Sequence, residues 1–267
     1  MIVPVAGADD PRIADYRAVR ERDLVGRDGR FMAEGEVVLR LLAGRLGPGG
    51  HRLVSVLLSQ AQAGRLADVI AALPPDVPVH VAEQAVMDQL VGFPIHRGIL
   101  ALGEARPLPD AGALLDTLGP RALVVAALGL TNHDNMGGIF RNAAAFGADA
   151  VLLDAASCDP LYRKAIRVSV GASLVVPFAR VPHGRAMLEL LAGRGFEVVA
   201  LSPAGREVLA RLARPERVAA LFGTEGPGLP GEVLQAVRTV AIPMAGGFDS
   251  LNVATTSGIV LHHLAQG

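Results

Sequence analysis

"IPMAGGFDSLNVATTSG", residues 242–258, opens with a short apolar run, crosses two glycines and enters small polar residues where a helix starts. A strand-to-helix turn needs a glycine or two for its dihedral angles. It does not need Ser250 and Asn252 set between a strand end and a final helix over 252–265. In a parallel α/β sheet, ligands bind beyond the carboxyl ends of the strands. Two more segments have that address: LGLTNHDNMGGIFR (128–141) after a strand at 122–128, and FGTEGPGLP (222–230) after a strand at 217–223. Each is glycine-rich and carries polar residues that a plain turn has no use for. Three such loops in one half of a chain point to one shared site. Its exposed N–H and C=O groups would hold an adenine edge or a carboxylate without charged side chains.

Working outward, strands and helices alternate. ALVVAAL (122–128), AVLLD (150–154), FEVVALS (196–202) and RVAALFG (217–223) read as buried strands. NMGGIFRNAAAFG (135–147) reads as a helix closed by Gly147, and further helices are expected over MLELLAGRG, around 231–237 and over 252–265. The N-terminal half predicts a smaller α/β unit. It has strands at 53–59, 77–81 and 98–103, a helix over AQAGRLADVIAAL and a strand running into a helix over RFMAEGEVVLRLLAG. Mixed charges over 10–30 predict a solvated helix, and the prolines of EARPLPDAGALLD (104–116) mark a linker.

Bulk properties exclude several classes. With 51% hydrophobic and 19% charged residues the chain is not disordered. Charges and glycines interrupt every long apolar run, so no membrane span is expected, and MIVPVAGADD lacks the basic start of a secretory signal; the expected location is the cytoplasm. Twenty-five basic against 26 acidic residues rule out coating nucleic acid by bulk charge, although local arginine clusters remain available. The single cysteine, Cys158, excludes disulfides and cysteine metal clusters, and reads as a small buried residue. His133 and Asp134 have no companion at metal spacing, so no metal is expected; His262 and His263 read as ordinary helix residues. No G-x-G-x-x-G follows a strand, LTNHDNMGG lacks the end of a P-loop, and no G-x-S-x-G occurs.

Read together, the three loops resemble the signature motifs of the SpoU/TrmH family of RNA ribose 2'-O-methyltransferases in the SPOUT superfamily. The first carries Asn135, Gly137 and Arg141; the second Gly223, Glu225, Gly226, Gly228 and Leu229; the third Ile242, Pro243, Met244, Gly246, Ser250, Leu251, Asn252 and Val253. DPLYRKAIRVSVGA (159–172) is similar to the family's connecting stretch, and the likeness covers about 120–265. RFMAEGEVVLRLL and GFPIHRGILAL are more loosely similar to an L30e-like substrate-binding module. One departure is visible: Asn132 and His133 stand where many members have Asp-Pro, which would loosen that turn or alter its contacts.

The resemblance implies an α/β fold, with an L30e-like domain over 1–108 and a SPOUT trefoil-knot domain over 117–267. It implies S-adenosyl-L-methionine as methyl donor, held by Leu201, Gly223, Ile242, Met244, Leu251 and Ala254. It implies Arg141, Asn135, Glu225, Ser250 and Asn252 as the catalytic set. Arg141 would bind phosphate and stabilise alkoxide charge, with a literal arginine base as the alternative. Glu225 would orient Arg141, and Asn135, Ser250 and Asn252 would position the ribose. Ser250 would also serve as a helix N-cap. Arg163, Lys164 and Arg167 would touch RNA, ribosomal rather than transfer RNA given the extra domain, in a homodimer built through the C-terminal domain. Competing readings are a SPOUT-type base methyltransferase and a non-catalytic RNA-binding or assembly protein; a nucleotide-dependent oxidoreductase is disfavoured by the missing fingerprint.

Overall fold

The computed structural model describes residues 2–17, 29–44, 50–92, 95, 97–224, 226–246 and 250–266. In chain order the elements are β1 (Ile2–Val5), β2 (Arg30–Glu34), α1 (Glu36–Gly44), β3 (Arg52–Ser59), α2 (Gln60–Arg65), α3 (Ala67–Ala72), β4 (Val79–Ala82), α4 (Gln84–Val91) and β5 (Ile99–Glu104). There follow α5 (Ala111–Asp116), β6 (Ala122–Ala127), α6 (His133–Ala145), β7 (Ala150–Asp154), α7 (Arg163–Val168), β8 (Phe178–Val181), α8 (Gly184–Ala192) and β9 (Glu197–Leu201). The chain ends with β10 (Glu207–Val208), β11 (Arg217–Phe222), α9 (Gly231–Ala236), β12 (Arg238–Ala241) and α10 (Val253–Gln266). No helix among the described residues is long and apolar enough to cross a membrane.

Two compact units form. The first comprises Met1–Pro107 with Leu161–Leu174, the second Leu108–Pro160 with Val175–Gly267. The first holds a mixed sheet in the order β1-β4-β3-β5-β2, with antiparallel pairing of β5 to β3 and to β2. The segment 161–174 was read as part of the C-terminal domain but folds with this first unit. Helix α7 packs on β2, and Gly171 approaches Val38 and Leu41 of α1.

The second unit is a seven-stranded parallel sheet in the order β10-β12-β9-β11-β6-β7-β8. Every residue of β6 is buried, as an apolar run covered on both faces requires. The order reverses between β11 and β6, so a ligand-binding crevice belongs at the carboxyl ends of the neighbouring strands. Helix α6 buries Met136, Ile139, Phe140 and Ala143, spaced i, i+3, i+4, i+7, and Phe140 meets Phe178 edge-on with ring centroids 5.7 Å apart. Helix α10 buries Ser257, Val260, Leu261 and Leu264 at the same spacing. The two helices cross closely: a Cβ built on Gly138 would lie 2.6 Å from the Ala254 methyl.

Several local readings are corrected. The expected linker stops at its prolines; Asp110 then caps α5, accepting from Ala113 N at 2.9 Å, and Ala111, Leu114 and Leu115 enter the core of the second unit. The helix expected over 61–73 is broken at Leu66, whose ψ of 23° is not helical. Of the charged stretch 10–30, residues 11–16 form a short 3-10 segment and 18–28 lie outside the described residues.

Two expectations follow for stability. Gly to Ala inside a helix ordinarily stabilises by about 1 kcal/mol. At Gly138 the sign should reverse, because the added methyl meets Ala254: Gly138→Ala should cost ~1–3 kcal/mol in denaturant unfolding, and Ala254→Gly should restore part of it. The second concerns acid. Burial, aided by nearby Arg106, pushes the His51 imidazole down to about 4 from 6.5, and burial lowers His80 as well. The unfolded chain binds these protons first, so this stabilisation is complete above about pH 6.5 and is lost as the pH falls toward 4. Denaturation midpoints of His51→Asn should fall less between neutral and acid buffer than those of the wild type.

Candidate functional site

A pocket of about 460 Å³ opens at the carboxyl ends of β9, β11 and β12, on the β11 side of the reversal of strand order. Its walls come from the second and third motif loops, the end of β9 and Val240 of β12. Leu201, Gly223, Ile242, Met244, Ser250, Leu251 and Asn252, all expected at the site, line it. Val253 of the third motif lines it too, as do Phe222, Thr224, Val240, Thr256, Ser202 and Pro203, which were not singled out from the sequence. Position along the chain points to Phe222, Thr224 and Thr256, which are adjacent to, or one helical turn from, a motif residue; Val240 belongs to β12, Ser202 and Pro203 follow the end of β9, and these three carry no such signal.

The lining has a definite chemistry. No charged side chain contributes among the described residues. Apolar side chains, main chain and a few hydroxyl and amide groups suit a planar uncharged heterocycle and its hydrogen-bonding edge. Gly223 is required here for packing, since a Cβ on it would stand 2.6 Å from Gly228 C and Leu229 N. The loop closes on itself as Thr224 Oγ1 donates to Gly228 O at 3.2 Å.

Beside the pocket the first motif meets the third. Asn252 Nδ2 donates to Asn135 Oδ1 at 2.8 Å, across 117 residues of chain. Asn135 is 3% exposed, so this pairing meets a hydrogen-bonding need that water cannot. Asn252 also accepts at Oδ1 from Ala254 N at 2.9 Å and Thr255 N at 3.2 Å. Asn252 is therefore the N-cap of α10, and the expectation for Ser250 is corrected: Ser250 lines the pocket two residues earlier. A second clasp lies about two turns further along α6, where Asn142 Nδ2 donates to Ala254 O at 2.7 Å and Ser257 Oγ at 2.9 Å.

The start of α6 resolves the departure at Asn132. Its Oδ1 accepts from Asp134 N at 2.8 Å and Asn135 N at 3.3 Å, so an asparagine cap does the work of the absent Asp-Pro turn. Helix α6 accordingly begins at His133, two residues earlier than read, and Gly147 follows its end with φ of 69°.

Other expected residues fall elsewhere. Ala254 does not line the pocket; its methyl faces Gly138 on α6. Arg141 is exposed on α6 and is not among the lining residues of the same chain. Glu225 lies outside the described residues. Arg163, Lys164 and Arg167 sit on α7 in the first unit, where Arg167 Nη1 lies 4.0 Å from Glu34 Oε2. Burial pushes the Cys158 thiol up to about 11, which keeps it protonated and a poor nucleophile. His262 stacks edge-on against Phe146, and His263 Nε2 lies 2.8 Å from Leu212 O. No cluster of three potential metal ligands occurs among the described residues.

Known proteins share this arrangement. Residues 122–262 match the model of the SpoU rRNA Methylase family. A Mycobacterium bovis protein described as an uncharacterized tRNA/rRNA methyltransferase is 36% identical, over 98% of this chain and 94% of its own. The crystal structure of an rRNA methyltransferase from Sinorhizobium meliloti with bound AdoMet superposes with a TM-score of 0.81 at 26% identity, covering 99% of this chain and 98% of that one. An RNA 2'-O ribose methyltransferase structure gives 0.79 at 26% identity over the same shares. With its second and third motifs lining one pocket, the first tied to them through Asn135, and this match over more than half its length, the chain belongs to the SpoU rRNA methylase family.

Proposed function

We propose that this RNA methyltransferase transfers a methyl group from S-adenosyl-L-methionine to a ribose 2'-hydroxyl, in ribosomal rather than transfer RNA. The observation that carries the reading is the Asn135–Asn252 hydrogen bond at the rim of an uncharged pocket walled by the second and third motifs. The AdoMet bound to the S. meliloti relative and the ribose specificity named for the other solved structure favour it.

In this reading Leu201, Ile242 and Leu251 hold the donor by main chain and apolar contact, with Gly223 and Met244 beside them. When bound, the donor supplies a methyl carbon that forms its new bond to the ribose oxygen while its bond to sulfur breaks and the neutral thioether leaves. A 2'-hydroxyl is a weak nucleophile, so the protein must align it and ease the loss of its proton. Asn252 and Ser250 orient the ribose, and Asn135 fixes Asn252. Arg141 binds the neighbouring phosphate and stabilises negative charge growing on the oxygen; the proton passes to phosphate or water, because a guanidinium stays protonated. Glu225 would orient that arginine.

Arg141 lies outside the lining of its own chain's pocket. A homodimer would bring in the partner's copy, and α6 and α10 would form the contact. Leu251 and Ile259 are exposed there at 43% and 40%. The insertion of β12 between β10 and β9, with α10 returning onto α6, favours a trefoil knot. RNA would be gripped by the L30e-like first unit, with Arg163, Lys164 and Arg167 of α7 among the phosphate contacts. A cytoplasmic location suits such a substrate.

The deciding experiment maps the methyl group in ribosomal and transfer RNA from cells with and without the protein. A methyl on a base nitrogen would overturn the ribose assignment. Arg141→Ala should reduce single-turnover transfer by ~10² or more while donor affinity by calorimetry stays within about twofold. Near-normal turnover would refute its role. Mixed dimers of Arg141→Ala with Asn252→Ala chains should regain about half the wild-type rate, since one site would again have both residues. Inactive mixed dimers would place both residues in the same chain's site.

A further inference from the structure

A turn outside the three motifs is built around one buried carboxylate. Asp154 ends β7 and is 9% exposed. Its Oδ1 accepts three hydrogen bonds, from Gly129 N at 2.9 Å, Ser157 N at 3.0 Å and Ser157 Oγ at 2.6 Å. Ser157 Oγ in turn accepts from Leu130 N at 3.0 Å, and Cys158 N donates to Leu130 O at 2.8 Å. The turn is pinned from the far side by Arg180 of β8. Its Nη1 donates to the carbonyls of Asp154 and Ser157 at 3.1 and 3.0 Å, and its Nη2 to that of Cys158 at 3.2 Å.

The grip falls on the loop that delivers the first motif. Residues 129–132 run from β6 to the Asn132 cap, three residues before Asn135. Gly129, held by Asp154, also packs against the Thr224 methyl in the pocket wall. Turns at strand ends rarely need a buried carboxylate with three donors on one oxygen, because a neutral acceptor suffices and a buried charge is costly. A charged acceptor bonded to two main-chain N–H groups makes a stiffer anchor.

We infer that Asp154, with Ser157, is a positioning residue for methyl transfer: it sets the 129–132 loop so that Asn135 meets Asn252 in the reactive arrangement. This rests on the methyl-transfer reading above. A displacement near 1 Å in such an alignment costs on the order of 10²-fold in rate without matching loss of binding. The effect belongs on the chemical step, and it passes through Asn135.

The test uses the full-length protein, tritiated S-adenosyl-L-methionine and ribosomal and transfer RNA transcribed in vitro without modifications. Asp154→Ala should lower the single-turnover rate ~10–100-fold while donor Kd and RNA KM change less than about threefold. Asp154→Asn keeps an oxygen acceptor at the same place but loses the charge, and should recover only part of the rate. In a double-mutant cycle, Asn135→Ala should add little to Asp154→Ala, since both break one alignment. Should Asp154→Ala fold poorly, Ser157→Ala against Ser157→Thr gives the same comparison. An Asp154→Ala rate equal to wild type, a parallel loss of donor affinity, or full additivity with Asn135→Ala would overturn the inference. No incorporation by the wild type would instead sink the methyl-transfer reading itself.

Discussion

The close crossing of α6 and α10 is the constraint on which the second unit depends. Gly138 lets Ala254 approach, and Asn142 ties the two helices through Ala254 O and Ser257 Oγ. Only at that separation does Asn252 reach Asn135. Helix pairs usually sit about 8–10 Å apart, set by the side chains at the contact. Glycine and alanine bring the axes toward the short end of that range, and polar groups become the natural cement because backbone carbonyls come within reach. The same residues that fasten the helices therefore also place an amide at the rim of a pocket.

That pocket follows a consistent electrostatic logic. Its described walls carry no ionised side chain, so a bound group would be recognised by shape and by main-chain hydrogen bonds. Charge is held at a distance: Arg141 stands exposed on α6, and Asp154 is buried beneath the loop leading to the first motif. In the proposed reading, negative charge developing on a ribose oxygen would meet a cation brought by a second subunit. A fixed buried charge in the pocket would bind an uncharged ring no better and would cost desolvation.

The first unit has a different character. Its sheet is mixed, because β5 runs antiparallel to both β3 and β2. Its basic residues are already engaged in part: Arg167 lies near the buried Glu34, and Arg40 bridges Glu36 and Asp68. Local placement of a few arginines, rather than net charge, must set any affinity for RNA, in keeping with a formal charge of −1.

The sequence by itself determined the α/β class, the buried strands from 122 to 223, the amphipathic helices and three loops at strand ends. These rest on short-range periodicity and glycine placement, and both are readable along the chain. Tertiary structure alone decided the rest. It gave the N-cap of α10 to Asn252 instead of Ser250, turned Ala254 away from the pocket toward Gly138, and moved 161–174 into the first unit. It also revealed Asp154 as an anchor, because its partners Gly129 and Ser157 come from separate loops. Such choices turn on which groups become neighbours after folding, over separations such as the 117 residues between Asn135 and Asn252. A linear pattern carries residue types and spacings, whereas hydrogen bonds and steric contacts select among them only in three dimensions.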